Sequence, residues 1–197
     1  MTGMLSALTR LLAAFASLAL FLSPMAAMAG DLRYVVDKAA SRVDAKVAFF
    51  GIASKTASFP DMSGTFNLSF ADLEALDMVV DIDARTLTTG DSQAKTLKGK
   101  NFFDVAHYPT VRFVGQRIKM TGDKTADVEG RITARGVTRP IKLAVTFSVP
   151  PYSTGGTQPI SIVGTGVIDR RQFGMTAYPF IIGSMVKVTI RARMVPN

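Results

Sequence analysis

The side chains able to do chemistry are few. His107 is the only histidine and there is no cysteine. General-base work needs a partner that positions the imidazole against a substrate, and Ala106-His107-Tyr108-Pro109 reads as a plain connection. One histidine without thiolates is a poor basis for a transition-metal site. Asp77, Asp81 and Asp83 fall on one face of a strand pattern. Calcium needs six or more oxygens converging from a loop, so the three carboxylates read as a wetted face. Gly155-Gly156 and the pair Gly164 and Gly166 lack the lysine and helix of a phosphate loop. The second pair interrupts a strand and reads as a bend. The chain therefore reads as a non-enzyme, with no catalytic residue, no metal ligand and no cofactor expected.

The remaining chemistry is apolar. There are thirteen phenylalanines, Phe15 and Phe21 among them near the N-terminus, and no tryptophan. Phe49, Phe66, Phe70, Phe113 and Phe147 fall on apolar strand faces, and Phe102, Phe103, Phe173 and Phe180 near connections. Such residues either pack a solid core, the default for an interior, or enclose an apolar guest. For a guest, each buried methylene is worth ~0.8 kcal/mol, so an isoprene unit adds up to roughly 3 kcal/mol before ordering costs. Arg170, Arg171, Lys95 and Lys98 suit either an anionic head group or a solvated surface.

The elements that would hold these residues are strands. Apolar and polar residues alternate from Val43 to Phe49, Thr65 to Phe70, Leu76 to Asp83, Ile141 to Ser148 and Val186 to Arg193, a period of two. Weaker strands fit Leu32 to Asp37, Thr110 to Met120, Ala126 to Ala134 and Ile160 to Asp169, giving eight or nine in all. Turn signals stand at Pro60-Asp61, Gly122-Asp123, Gly136 and from Pro150 to Pro159. One short helix is expected from Ser92 to Lys98, capped by Asp91 or Ser92 and ended by a left-handed Gly99. Antiparallel strands with one apolar face build a sandwich or a closed barrel, and periodicity does not separate the two.

The N-terminus has the form of a secretory signal. Arg10 ends a short first region, Leu11 to Leu22 is apolar or small, and Ala27-Met28-Ala29 offers a small-x-small cleavage site. The apolar run is shorter than the ~20 residues of a spanning helix. Residues 1–29 are expected to be removed, leaving 30–197 as one exported domain without stable membrane insertion. The formal net charge is +8, which favours anionic surfaces or ligands. Nucleic acid is not an expected partner, since no basic helix appears.

Four stretches then resemble one family. Asn101-Phe102-Phe103-Asp104-Val105 with Tyr108-Pro109-Thr110 and Phe113 is similar to a "DFFDV-x-x-YPT-x-x-F" signature. Gly130-Arg131-Ile132-Thr133 leading to Arg135-Gly136-Val137-Thr138-Arg139-Pro140-Ile141 resembles "G-x-LTIRGVTKPV". Ile168-Asp169-Arg170-Arg171-Gln172-Phe173-Gly174-Met175 resembles "IDRxDFGM", and Gly64-Thr65-Phe66 fits an early "G-x-F". In this order they resemble the YceI-like family of periplasmic lipid-binding proteins. The resemblance implies an all-β, eight-stranded antiparallel, lipocalin-like barrel with one short helix in a connection. It also implies a long isoprenoid or fatty amide in the interior. The expected function is a periplasmic carrier of a long-chain apolar lipid (polyisoprenoid, quinone-like or fatty amide), as a monomer or dimer.

On that resemblance the expected ligand-binding residues are Val47, Phe49, Phe66, Leu68, Met78, Val80, Ile82, Phe102, Phe103, Phe113, Leu143, Val145, Phe147 and Phe173. The segment from Thr89 to Asp104 is expected near the mouth. Family histidines are replaced by Ala40 and Phe49, and the Arg-Asp pair and histidine expected beyond Thr89-Gly90 are missing, which implies a more apolar entrance. The alternative is an envelope stress or interaction protein whose barrel is packed solid.

Overall fold

The computed structural model describes residues 32–69, 72 and 75–197. The expected signal segment and Phe70 lie outside the described residues. The elements are β1 (Leu32–Val36), β2 (Arg42–Phe49), β3 (Ala53–Phe59), β4 (Met62–Leu68), β5 (Ala75–Asp83), β6 (Thr88–Thr89), α1 (Ala94–Lys98), β7 (Thr110–Gly122), β8 (Thr125–Ala134), β9 (Val137–Phe147), β10 (Ile160–Asp169) and β11 (Ile182–Pro196).

All of the pairings are antiparallel, and the order β1-β4-β5-β7-β8-β9-β10-β11 returns to β1, with Val36 opposite Met194. Eight strands therefore close a barrel, which settles the choice that periodicity left open. The register puts Val43, Val80, Phe113, Leu143, Val145 and Ala192 inside. It leaves Arg112, Arg131, Lys142 and Arg191 outside, and a one-residue slip in any strand would exchange these faces.

One side of the wall is split. β11 pairs with β1 near its C-terminus but with β2 from Ile182 to Arg191. In the same way β4 pairs with β1, and β3 with β2. β1–β2 and β3–β4 are thus two long strands, each interrupted once. Pro60-Asp61 was expected to be a turn. The correction is that it only interrupts a strand, since β3 and β4 run the same way against the successive strands β1 and β2. Strand β3, Ala53-Ser54-Lys55-Thr56-Ala57-Ser58-Phe59, was not anticipated because its first four residues are exposed and carry no apolar period. The outer edge of β3 meets only the two residues of β6. From there the barrel is covered by the chain between β5 and β7.

That cover contains the short helix, which needs two corrections. It starts at Ala94 and not at Ser92, because the Asp91 carboxylate accepts from Gln93 N at 3.0 Å in a turn ahead of the helix. Gly99 has φ −74° and ψ 171°, extended and not left-handed. A third correction concerns Gly164 and Gly166. Their ladder with β11 is unbroken from Ile160 to Asp169. A Cβ at 166 would lie 2.7 Å from Leu143 Cδ2 and 3.0 Å from the Lys142 carbonyl, so glycine there allows close approach of β9.

The two ends of the barrel differ. At the lower end the 3-10 turn Pro151–Thr154 is tucked against the wall, and Tyr34 Oη and Thr154 Oγ1 share a buried 2.8 Å hydrogen bond. At the upper end the β2–β3 turn, the β5–β7 cover, the β8–β9 turn and the β10–β11 connection meet. Arg135 lies in the left-handed region at φ 49° beside Gly136 at 72°, the pattern of a two-residue hairpin turn. Its guanidinium donates to the Gly174 carbonyl at 2.6 Å and the Lys100 carbonyl at 3.1 Å, tying three of these connections together.

Candidate ligand-binding site

The interior divides into two chambers. The lower one is lined by Phe66, Met78, Val80, Ile82, Phe113, Leu143, Val145 and Phe147 with neighbouring apolar groups, and holds a cavity of about 50 Å³. The upper one opens at the mouth, holds about 380 Å³, and is lined by Val47, Phe49, Phe102 and Phe103. Of the expected binding residues, Leu68 and Phe173 line neither chamber. Both are fully buried in the packed core.

The upper chamber also takes in residues that the sequence reading did not select. Val186 and Ile182 of β11 line it; a register shift between them breaks the alternation that would have marked Ile182. Met175 and Tyr178 come from the β10–β11 connection, with the Tyr178 ring stacked on Phe102 at 6.2 Å. Thr89, Gln93, Thr96 and Leu97 come from the cover, as expected for the segment from Thr89 to Asp104.

Three charged groups face this chamber. Lys55 Nζ donates to Asp91 Oδ2 at 2.5 Å and lies 5.3 Å from the centre of the Phe49 ring. That hydrogen bond, followed by the one from Gln93 N, holds the Asp91 carboxyl below the usual carboxylate range. Arg170 is only 4% exposed. It donates to the carbonyls of Gly183 at 2.9 Å, Ile182 at 2.7 Å and Met175, and burial lowers the pKa of its guanidinium. Its neighbour Arg171 turns away to grip Asp169 through two nitrogens. Arg170 therefore carries a desolvated positive charge beside the chamber while bracing the start of β11.

The groups first weighed for catalysis or metal binding sit elsewhere. The His107 ring is exposed and shares a 3.0 Å hydrogen bond with Asp104. Asp81 accepts two hydrogen bonds from Arg112, Asp83 pairs with Arg85, and Asp77 accepts from Asn67. These carboxylates lie along the outer face of β5.

A closed eight-stranded antiparallel ring with a covered apolar chamber at one end places the chain among the lipocalin-like barrels. A profile of the YceI-like domain matches residues 34–194, and the chain belongs to that family. A UPF0312 protein of Pseudomonas savastanoi pv. phaseolicola is 36% identical over 171 residues, covering 85% of this chain and 88% of the relative. One from Pseudomonas fluorescens is 31% identical over 171 residues, with the same coverage of both chains. Among solved structures, Burkholderia cenocepacia BcnA shares 21% identity at a TM-score of 0.70, covering 80% of this chain and 98% of that one. A polyisoprenoid-binding domain from Saccharophagus degradans shares 16% identity at a TM-score of 0.63, covering 83% and 98%. At these identities the solved structures speak for the fold.

Proposed function

We propose that the protein is a non-catalytic carrier that holds the tail of an apolar lipid, isoprenoid or fatty, in the upper chamber. The observation that carries this reading is a chamber of about 380 Å³ with aromatic and aliphatic walls, the kind of concave apolar space that binds small molecules. The name of the Saccharophagus neighbour agrees with it. Residues 1–29 act as a signal that exports the domain to the periplasm. The test is to extract the purified mature protein with organic solvent, identify released lipids by mass spectrometry, and titrate the emptied protein with a prenyl alcohol. Absence of both a co-purified lipid and prenyl uptake would sink the proposal.

A second reading, a packed interaction protein, draws on the lower chamber, which at about 50 Å³ is nearly filled. It expects no prenyl uptake and no change when the upper chamber is narrowed by Val186→Phe. The carrier reading expects that substitution to weaken uptake.

A further inference from the structure

The mouth carries exposed apolar groups that the chamber does not use. Ile52 on the β2–β3 turn is 95% exposed and Phe180 on the β10–β11 connection 97%. The two turns are joined, since Phe50 N donates to the Ile181 carbonyl at 2.8 Å. Both are held in shapes that a flexible loop would not keep. Phe50 and Gly51 take φ of 52° and 70°, and Tyr178 takes 52°. Left-handed backbone at Phe50 and Tyr178 is costly for residues other than glycine, so the fold fixes these tips outward next to the mouth.

On the wall below the tips, Asp44 is engaged by Arg42 and Arg191 and Asp169 by Arg171, whereas two lysines have no acidic partner among the described residues. Lys46 and Lys187 stand directly opposite each other on the outer face of β2 and β11. Like charges at opposed strand positions repel, and an anionic surface would relieve that repulsion. Lys95 and Lys100 are exposed on the cover at the same end.

We propose that the mouth docks on an anionic phospholipid bilayer, with Ile52 and Phe180 entering the interfacial layer and Lys46 and Lys187 facing lipid phosphates. Two apolar tips flanked by lysines match the mixed apolar and electrostatic pattern of interfacial binding. Separate turn tips suit insertion into a fluid layer better than the continuous core patch of a protein interface. Docking in this orientation places the chamber opening at the membrane, which gives it a use under the carrier reading, although the surface does not depend on that reading.

The chain has no tryptophan and four tyrosines, so Phe180→Trp introduces a single indole reporter that can be excited selectively over the phenols. With ligand-free protein and vesicles of equal phosphatidylglycerol and phosphatidylcholine, its emission should shift to the blue and be quenched by brominated acyl chains. Pure phosphatidylcholine should give little shift, and 0.5 M salt should weaken the effect because surface charge is then screened. Lys46→Gln with Lys187→Gln should lower partitioning about tenfold or more. Ile52→Ser with Phe180→Ser should abolish vesicle co-sedimentation while thermal stability and prenyl uptake stay unchanged. No binding to the anionic vesicles overturns the proposal, as does binding indifferent to both pairs of substitutions. A concentration-dependent blue shift without vesicles also overturns it, since the tips then cover a second copy of the chain. Prenyl uptake without vesicle binding removes the docking surface and leaves the carrier; vesicle binding without uptake does the reverse.

Discussion

The Phe113 ring of β7 lies against Gly130 of β8, where an added methyl group would stand 2.8 Å from two of its ring carbons. This contact lets the ring occupy the lower chamber and helps reduce it to about 50 Å³. Under the carrier proposal, the upper chamber then sets the length of tail that can be held. A cavity of ~150 Å³ accommodates benzene, so about 380 Å³ corresponds to roughly 15 carbon atoms. A series of prenyl alcohols should show affinity rising to about three isoprene units and then levelling. Phe113→Ala should extend that plateau to longer chains while destabilising the fold by about 3–5 kcal/mol. Calorimetric titration across the series measures the plateau, and a plateau unmoved in the variant would place the floor elsewhere.

Arg170 should be worth more to the fold than its surface neighbours. It serves three backbone carbonyls, and leaving buried acceptors without donors costs about 1–3 kcal/mol each. Arg170→Met should therefore lower stability by at least about 2 kcal/mol in urea unfolding. Arg170→Lys should recover only part of this, because an ammonium does not reproduce the planar fork. Arg171→Met, on an exposed, solvent-screened pair with Asp169, should cost far less than Arg170→Met.

These residues show where the sequence was legible. Val43 to Phe49 and Ile141 to Phe147 announce their inward face by simple alternation, and the Phe102, Arg135 and Phe173 motifs carried the barrel and the short connecting helix. Strand β3 was hidden because its first four residues are exposed, and Lys55 and Thr56 among them lie beside the open chamber, where no apolar period is required. Arg170 was legible as a charge but not as a buried one, since its acceptors at 175, 182 and 183 are brought to it by the turn into β11. Lys55 and Asp91 are 36 residues apart, and only the β3–β6 pairing makes them neighbours. The split of the apolar set into a filled and an open chamber depends on ring placement, which periodicity does not encode.

The Lys55–Asp91 pair fastens the cover to β3, and its pH dependence has a definite sign. The Asp91 carboxyl is held below its ordinary value of 3.8, chiefly by Lys55. A carboxylate with a depressed folded-state pKa contributes fully above its unfolded value and loses that contribution as pH falls through the folded one. The cover should thus be equally fastened at pH 7 and pH 5 and should loosen only below about pH 4. Hydrogen exchange of the 88–97 amides, corrected for intrinsic rates, checks this. Asp91→Asn should raise exchange there at neutral pH while leaving the amides of β7 to β10 unchanged. Equal protection of the cover in the variant would show that the pair is incidental.

Gly164 and Gly166 share a strand and an inward side, yet should respond oppositely to a methyl group. At 164 a Cβ would meet nothing closer than Ile190 Cδ1 at 3.6 Å, ordinary contact distance on the wall of the lower chamber. Gly164→Ala should be neutral or stabilise by up to about 1 kcal/mol, because alanine restricts the unfolded chain. At 166 the same atom would stand 2.7 Å from Leu143 Cδ2 and 3.0 Å from the Lys142 carbonyl oxygen, and the carbonyl belongs to a paired strand that has little room to retreat. Gly166→Ala should cost about 1–3 kcal/mol. Shortening Leu143 to alanine in the same chain should relieve only the side-chain part of the clash, so the double-mutant cycle should show a favourable coupling smaller than the Gly166→Ala penalty. Thermal and urea unfolding of the four proteins measures each term. A destabilising Gly164→Ala beside a neutral Gly166→Ala would reverse the assignment of which glycine lets β9 approach β10.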